Sequence, residues 1–160
     1  MKRFILASLA LALVAPVLML TGCPKNASTL QKAALASENA AIVVRSMETA
    51  EIAAYQQGLI PAGDHLFIQQ QVVTLSALGK TTDTCIGNAG TTAGAVVCIN
   101  SAVTQIDQIN TNGGLYLKSA KAQELFTTAM GSIKTVLVSI ETVLNGVPVA
   151  AIVSNPVTGL

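Results

Sequence analysis

Between residues 28 and 146, apolar side chains return at alternating steps of three and four, the spacing that gathers them on one stripe of a helix. Ala33, Ala36, Ala40, Val43, Met47, Ala50 and Ala54 follow this rule and predict a helix over 28–57. Asn26 or Ser28 can cap it, Lys32, Glu38, Arg45 and Glu48 lie on its other side, and Gly58 and Pro61 stop it. A second helix is predicted over 64–84. Asp64 is its natural N-cap, Ile68, Val72 and Leu75 mark its buried face, and Leu66, Val73 and Ala77 widen that face. The run Thr81-Thr82-Asp83-Thr84 is a poor helix former, so the helix is expected to fray near Cys85. Gly87-Asn88-Ala89-Gly90 reads as a turn. Thr91 or Thr92 then caps a third helix over 92–110, with Val96, Ile99, Val103 and Ile106 on one face.

Asn110-Thr111-Asn112-Gly113-Gly114 carries the strongest turn signal in the chain. A long final helix is predicted beyond it, over 115–145. Ala122, Phe126, Ala129, Ile133, Val136, Ile140 and Val143 form its seam, and Lys118, Lys121, Glu124, Lys134 and Glu141 face away. Asn145-Gly146 ends it and Pro148 prevents its return. Four amphipathic segments with short links predict an all-α, up-down four-helix bundle. The alternative is an elongated helical hairpin that completes its core by oligomerising. The first and last helices are each about 30 residues and the middle pair shorter, so the long helices are expected to overhang, or the middle turn to be partly helical. The small residues of the first seam predict close helix packing. The tail, 147–160, holds Val149-Ala150-Ala151-Ile152-Val153 between two prolines, and is expected to pack along the bundle or to meet a partner.

The residues ahead of this pattern belong to a different category. Lys2 and Arg3 precede an apolar run from Phe4 to Leu20, and Leu20-Thr21-Gly22-Cys23 follows. A positive start, an apolar middle and small residues before a break describe an export signal rather than part of a fold. The run is short for a bilayer span and contains Pro16. The last four residues resemble the lipobox of bacterial lipoproteins. The resemblance covers the first 23 residues and names a processing class, not a fold family. It implies a cleaved signal over 1–22 and a lipidated tether over 23–27, ahead of a bundle over 28–146 and the tail. It further implies a diacylglyceryl group and an N-acyl chain, palmitate being typical, on Cys23. Two or more acyl chains hold a protein stably at a membrane. The protein is then exported and anchored to the cell envelope. Pro24, where an Asp would favour the inner membrane, favours the outer membrane facing the periplasm.

Removing the signal alters the charge. Without Lys2 and Arg3, the nine basic residues fall to seven against eight acidic ones, a net −1. That is no electrostatic footprint for nucleic acid. About 138 residues remain, enough for one core. Tyr55, Phe67, Tyr116 and Phe126 are its only aromatics. Removing Cys23 from the count leaves an even pair, Cys85 and Cys98. In an exported chain the first reading of such a pair is a disulfide, here clasping the mouth of the second helical hairpin. Free thiols and a metal site are the rival readings, the latter lacking a nearby second ligand.

No catalytic residue is assigned. His65 is the single histidine, and its neighbour Asp64 cannot face it from the next helical position. No serine stands in a G-x-S-x-G context, and Leu78-Gly79-Lys80-Thr81 imitates only the end of a phosphate loop. Glu48 and Glu51, with Glu38, could meet a cation, but there is no E-x-x-H partner, and a solvated acidic face is the expectation. No metal and no cofactor beyond the covalent lipid is expected. The function that follows is that of a membrane-anchored structural or interaction module. Its partner is another envelope protein or a second copy, and nucleic acid is excluded. The alternative is a bundle that holds a small apolar ligand or lipid.

Overall fold

The structure is a computed structural model that describes residues 28–146, so the expectations for the signal, the Cys23 tether and the 147–160 tail lie outside the described residues. Four helices make up the described chain: α1 (Thr29–Gln56), α2 (Ala62–Asn88), α3 (Thr92–Tyr116) and α4 (Ala120–Leu144). They run up, down, up and down. α1 packs on α2 and α4, α3 packs on the same two, and the diagonal pairs barely touch. This is the all-α four-helix bundle that the periodicity predicts. No helix among the described residues is long and apolar enough to cross a membrane.

The helices are nearly equal, at 28, 27, 25 and 25 residues, and the expected overhang is absent. Two local signals lose to packing. In α2, the hydroxyls of Thr81, Thr82 and Thr84 donate to the carbonyls of Ala77, Leu78 and Lys80, one turn back. Bonded this way, they no longer compete with the helix. Thr82 and Ile86 are buried, so the helix runs on to Asn88 instead of fraying at residue 84. In α3, the Asn110–Gly114 stretch is helical rather than a turn. Its Thr111 donates to Asp107 O, and Gly113 sits against the ring of Phe126. A Cβ on Gly113 would overlap that ring, so this glycine permits close helix approach rather than chain reversal. The reversal falls at Leu117–Ser119, and α4 starts at Ala120, five residues later than predicted.

The true turns are short. After α1, Gly58 adopts φ +70°, its N–H donates to Tyr55 O, and Leu59 N–H donates to Ala54 O. That pattern is a Schellman stop. Gly90, at φ +63°, makes the α2–α3 turn, and Thr91 caps α3 by accepting from Gly94 N. Asp64 does not cap α2, which begins at Ala62 after Pro61.

The seam residues Ala33, Val43, Met47, Ala50 and Ala54 are buried and Ala40 is partly buried. The side chains of Lys32, Ala36 and Glu38 lie outside the described residues. Ile68, Val72, Leu75, Ile99 and Ile106 are buried as expected, with Val96 and Val103 partly so. The α4 seam is buried from Ala122 to Ile140, with Val143 at its edge. Leu66, Val73 and Ala77 do not widen the α2 face. They lie on its exposed side, since the neighbours meet only one stripe of that helix.

Candidate functional site

Three places in the bundle carry chemistry. The first is at the end where α1 begins. Cys85, in the last turn of α2, and Cys98, in the second turn of α3, lie at disulfide distance, with Cα atoms 5.8 Å apart. The one-turn extension of α2 brings them together, because it holds Cys85 on the helix opposite its partner.

The second is at the opposite end, where the four aromatics of the described residues gather. Tyr55 stacks on His65, with ring centroids 4.0 Å apart. Phe67 stacks on Tyr116 at 5.5 Å and meets the edge of Phe126 at 6.0 Å. Glu51 is fully buried beneath this cluster, contrary to the solvated acidic face expected for it. Its Oε1 lies 2.5 Å from His65 Nδ1, and its Oε2 accepts from Gln69 Nε2 at 2.7 Å. Both carboxylate oxygens are therefore partnered, as a buried acid requires. His65 and Gln69 are one turn apart on α2 and grip the carboxylate together. Among the described residues no third acid, histidine or cysteine joins them in a group that could hold a metal.

Asp64 points away from His65, as adjacent helical positions dictate. One of its oxygens accepts from Ser119 N at 2.8 Å and both accept from Lys118 N. Ser119 in turn caps α4 by accepting from Ala122 N, and Gln123 donates to Leu117 O. Asp64 thus caps from a distance, binding α2 to the α3–α4 turn. Burial works against its charge, but the N–H groups of Ser119 and Lys118, the Ser119 hydroxyl and the Lys118 ammonium prevail, holding its carboxyl below the usual value of 3.8.

These roles left a trace in the sequence that the charge count did not use. Glu51 stands three before Ala54 and four after Met47, inside the apolar stripe. Asp64 stands four before Ile68, on the stripe of α2. A charged residue at a stripe position is buried by geometry and must find partners. Tyr55, Gln69 and Gln123 carry no such mark.

The third place is a cavity of about 320 Å³ between α1 and α2. Leu75, Leu78, Ala102, Ile106, Ile133 and Leu137 line its inner part, and Arg45, Glu48, Lys80 and Asp83 also border it. The small residues of α1 therefore do not close this groove tightly, as their seam had predicted. Ala40 and Ala41 face Gly79 across it, with no side chains long enough to fill it.

No family model, curated protein or solved structure matches this chain. What the fold and these sites define is a class of architecture, an antiparallel four-helix bundle with a cysteine pair at one end and a buried polar clamp at the other.

Proposed function

We propose that the protein is a bacterial envelope lipoprotein, held at the membrane by lipid on Cys23, whose bundle is a non-catalytic interaction module. One observation carries this reading: the tetrapeptide Leu20-Thr21-Gly22-Cys23, behind an apolar run that Lys2 and Arg3 open. Two features support it. Helix α1 starts at Thr29, six residues after Cys23, leaving only a short tether. A cysteine pair at disulfide distance suits a chain delivered to an oxidising compartment such as the periplasm. Pro24 favours the outer membrane.

The partner is another envelope protein or a second copy, met by the end of the bundle farthest from Thr29. Leu59, Leu66, Leu115 and Tyr116 are exposed there. Between Ile52 and Gly79 the only acidic or basic residues are Asp64 and His65. Lys118, exposed at the same end, adds a positive charge to this otherwise apolar surface, and a surface of this kind suits protein contact.

Intact mass of the membrane-extracted protein tests the anchor. Wild type is expected to start at Cys23 with the mass of a diacylglyceryl group and an amide-linked acyl chain. Cys23→Ala is expected to keep residues 1–22 and to carry no lipid. A wild-type chain without lipid mass would overturn the reading.

A further inference from the structure

We propose that the α1–α2 cavity binds a single-chain amphiphile with a zwitterionic head group. Its inner lining comes from α2, α3 and α4 and is aliphatic: Leu75, Leu78, Ala102, Ile106, Ile133 and Leu137. The buried hydroxyl bordering it, on Thr82, is already spent on Leu78 O at 2.8 Å. Such a lining offers dispersion contact and no hydrogen bonds, which is what an alkyl chain needs. At about 320 Å³ the space falls at the lower end of ligand sites, room for one chain rather than a two-chain lipid.

The charged side chains bordering the cavity set the head group. Arg45 and Glu48 stand three apart on α1, and Lys80 and Asp83 three apart on α2. At that spacing opposite charges on one helix can pair. None of the four makes an ion pair or a side-chain hydrogen bond among the described residues, whereas Lys121 with Glu124 and Lys134 with Asp107 do. The cavity is therefore bordered by two free cations and two free anions. Arg45, Lys80 and Asp83 are exposed and Glu48 is half-buried, so the four charges stand at the rim, where a head group rather than an alkyl chain would meet them, and a purely apolar occupant would leave them unused. A simple anion or cation would meet two like charges. A head group carrying both signs is complementary to the whole set. The same reasoning disfavours the chain's own tail, which has no charged side chain between Val147 and Leu160.

This inference gives the ligand-holding reading of the bundle a site and a ligand class, and it does not depend on the Cys23 anchor. The test uses the full chain in phosphatidylglycerol nanodiscs and a decyl phosphocholine probe with a diazirine at the chain end. After irradiation, peptide mapping is expected to find the label on the aliphatic lining, on Leu78, Ile106 or Ile133. Unlabelled decyl phosphocholine should compete, and decanoate and decylamine should not. Gly79→Phe fills the space from a helical position where an added Cβ meets nothing within 4 Å. It should cut labelling by at least about tenfold with the melting temperature unchanged or raised. Lys80→Glu, on the exposed part of the border, should weaken labelling several-fold and leave the fold intact. Label scattered over outer helix faces would overturn the proposal. So would equal competition by decanoate, or labelling that rises when Val147–Leu160 is deleted. Each of these outcomes is read from label position and competition, so it is separate from the lipid mass that decides the anchor.

Discussion

Gly113→Ala is expected to destabilise the bundle, although alanine is the better helix former. The added methyl overlaps Phe126 Cε1 outright and comes 2.5 Å from Cδ1, where carbon contacts normally begin near 3.5 Å. The ring cannot withdraw, because Phe126 is 1% exposed and is fixed against Phe67. Forcing an extra methyl into a packed core costs about 1–3 kcal/mol. Replacing glycine in a helix recovers at most about 1 kcal/mol. With the full recovery counted, the net loss is up to about 2 kcal/mol, the overpacking cost less the gain in propensity. Gly114→Ala is the control, since its methyl meets nothing within 4 Å. It should be neutral or stabilising by up to about 1 kcal/mol. Urea titration followed by far-UV circular dichroism measures both. Phe126→Leu should partly rescue Gly113→Ala, with a coupling of at least about 1 kcal/mol in a double-mutant cycle. If both alanine variants stabilise equally and show no coupling to residue 126, α3 does not sit on Phe126. The Asn110–Gly114 stretch would then be the turn its composition suggests.

Other perturbations give distinct readouts. Asp64 titrates below its usual value in the folded state, so the unfolded chain takes up that proton first as pH falls. Its contribution is complete above about pH 5 and disappears as pH drops through the native value, and Asp64→Asn should flatten that part of a stability–pH curve. His65→Ala leaves Glu51 with Gln69 alone and should cost about 1–3 kcal/mol, while Glu51→Gln should cost less in the same melts, because it removes the buried charge along with the need to match it. Reduction of the Cys85–Cys98 pair should lower stability by about 3 kcal/mol, seen as a lower melting temperature with reductant. Two alkylatable thiols in the unreduced protein would show instead that no bridge forms. Gly131→Ala, on an exposed face of α4 with open space around it, should raise stability by about 0.5–1 kcal/mol.

Much of the fold was legible from spacing alone. The three-four rhythm locates four helices, and the α4 seam is buried along nearly its whole predicted length. It failed where composition was trusted over context. Thr81–Thr84 and Asn110–Gly114 are weak helix formers in isolation, yet Ile86, Gly113 and Leu117 are buried and hold both stretches in the bundle. Propensities of a few tenths of a kcal/mol per residue yield to the burial of one large side chain. The polar clamp was missed for a related reason. Glu51 was read by its charge, which suggests solvent, and not by its place on the stripe, which requires burial.

The sequence by itself determined the helical class and the number of helices among the described residues, and it alone motivates the anchor proposed at Cys23. These depend on local periodicity and on short contiguous motifs, which need no knowledge of what lies across the core. Only the tertiary structure decided where α3 ends, which carboxylates are buried and what partners them. It alone revealed an aliphatic cavity bordered by four unpaired charges. Those features depend on residues from different helices meeting, as Gly113 meets Phe126 and Asp64 meets Ser119. No single helix encodes them, because each is defined by the distance between two surfaces rather than by the order of residues along one.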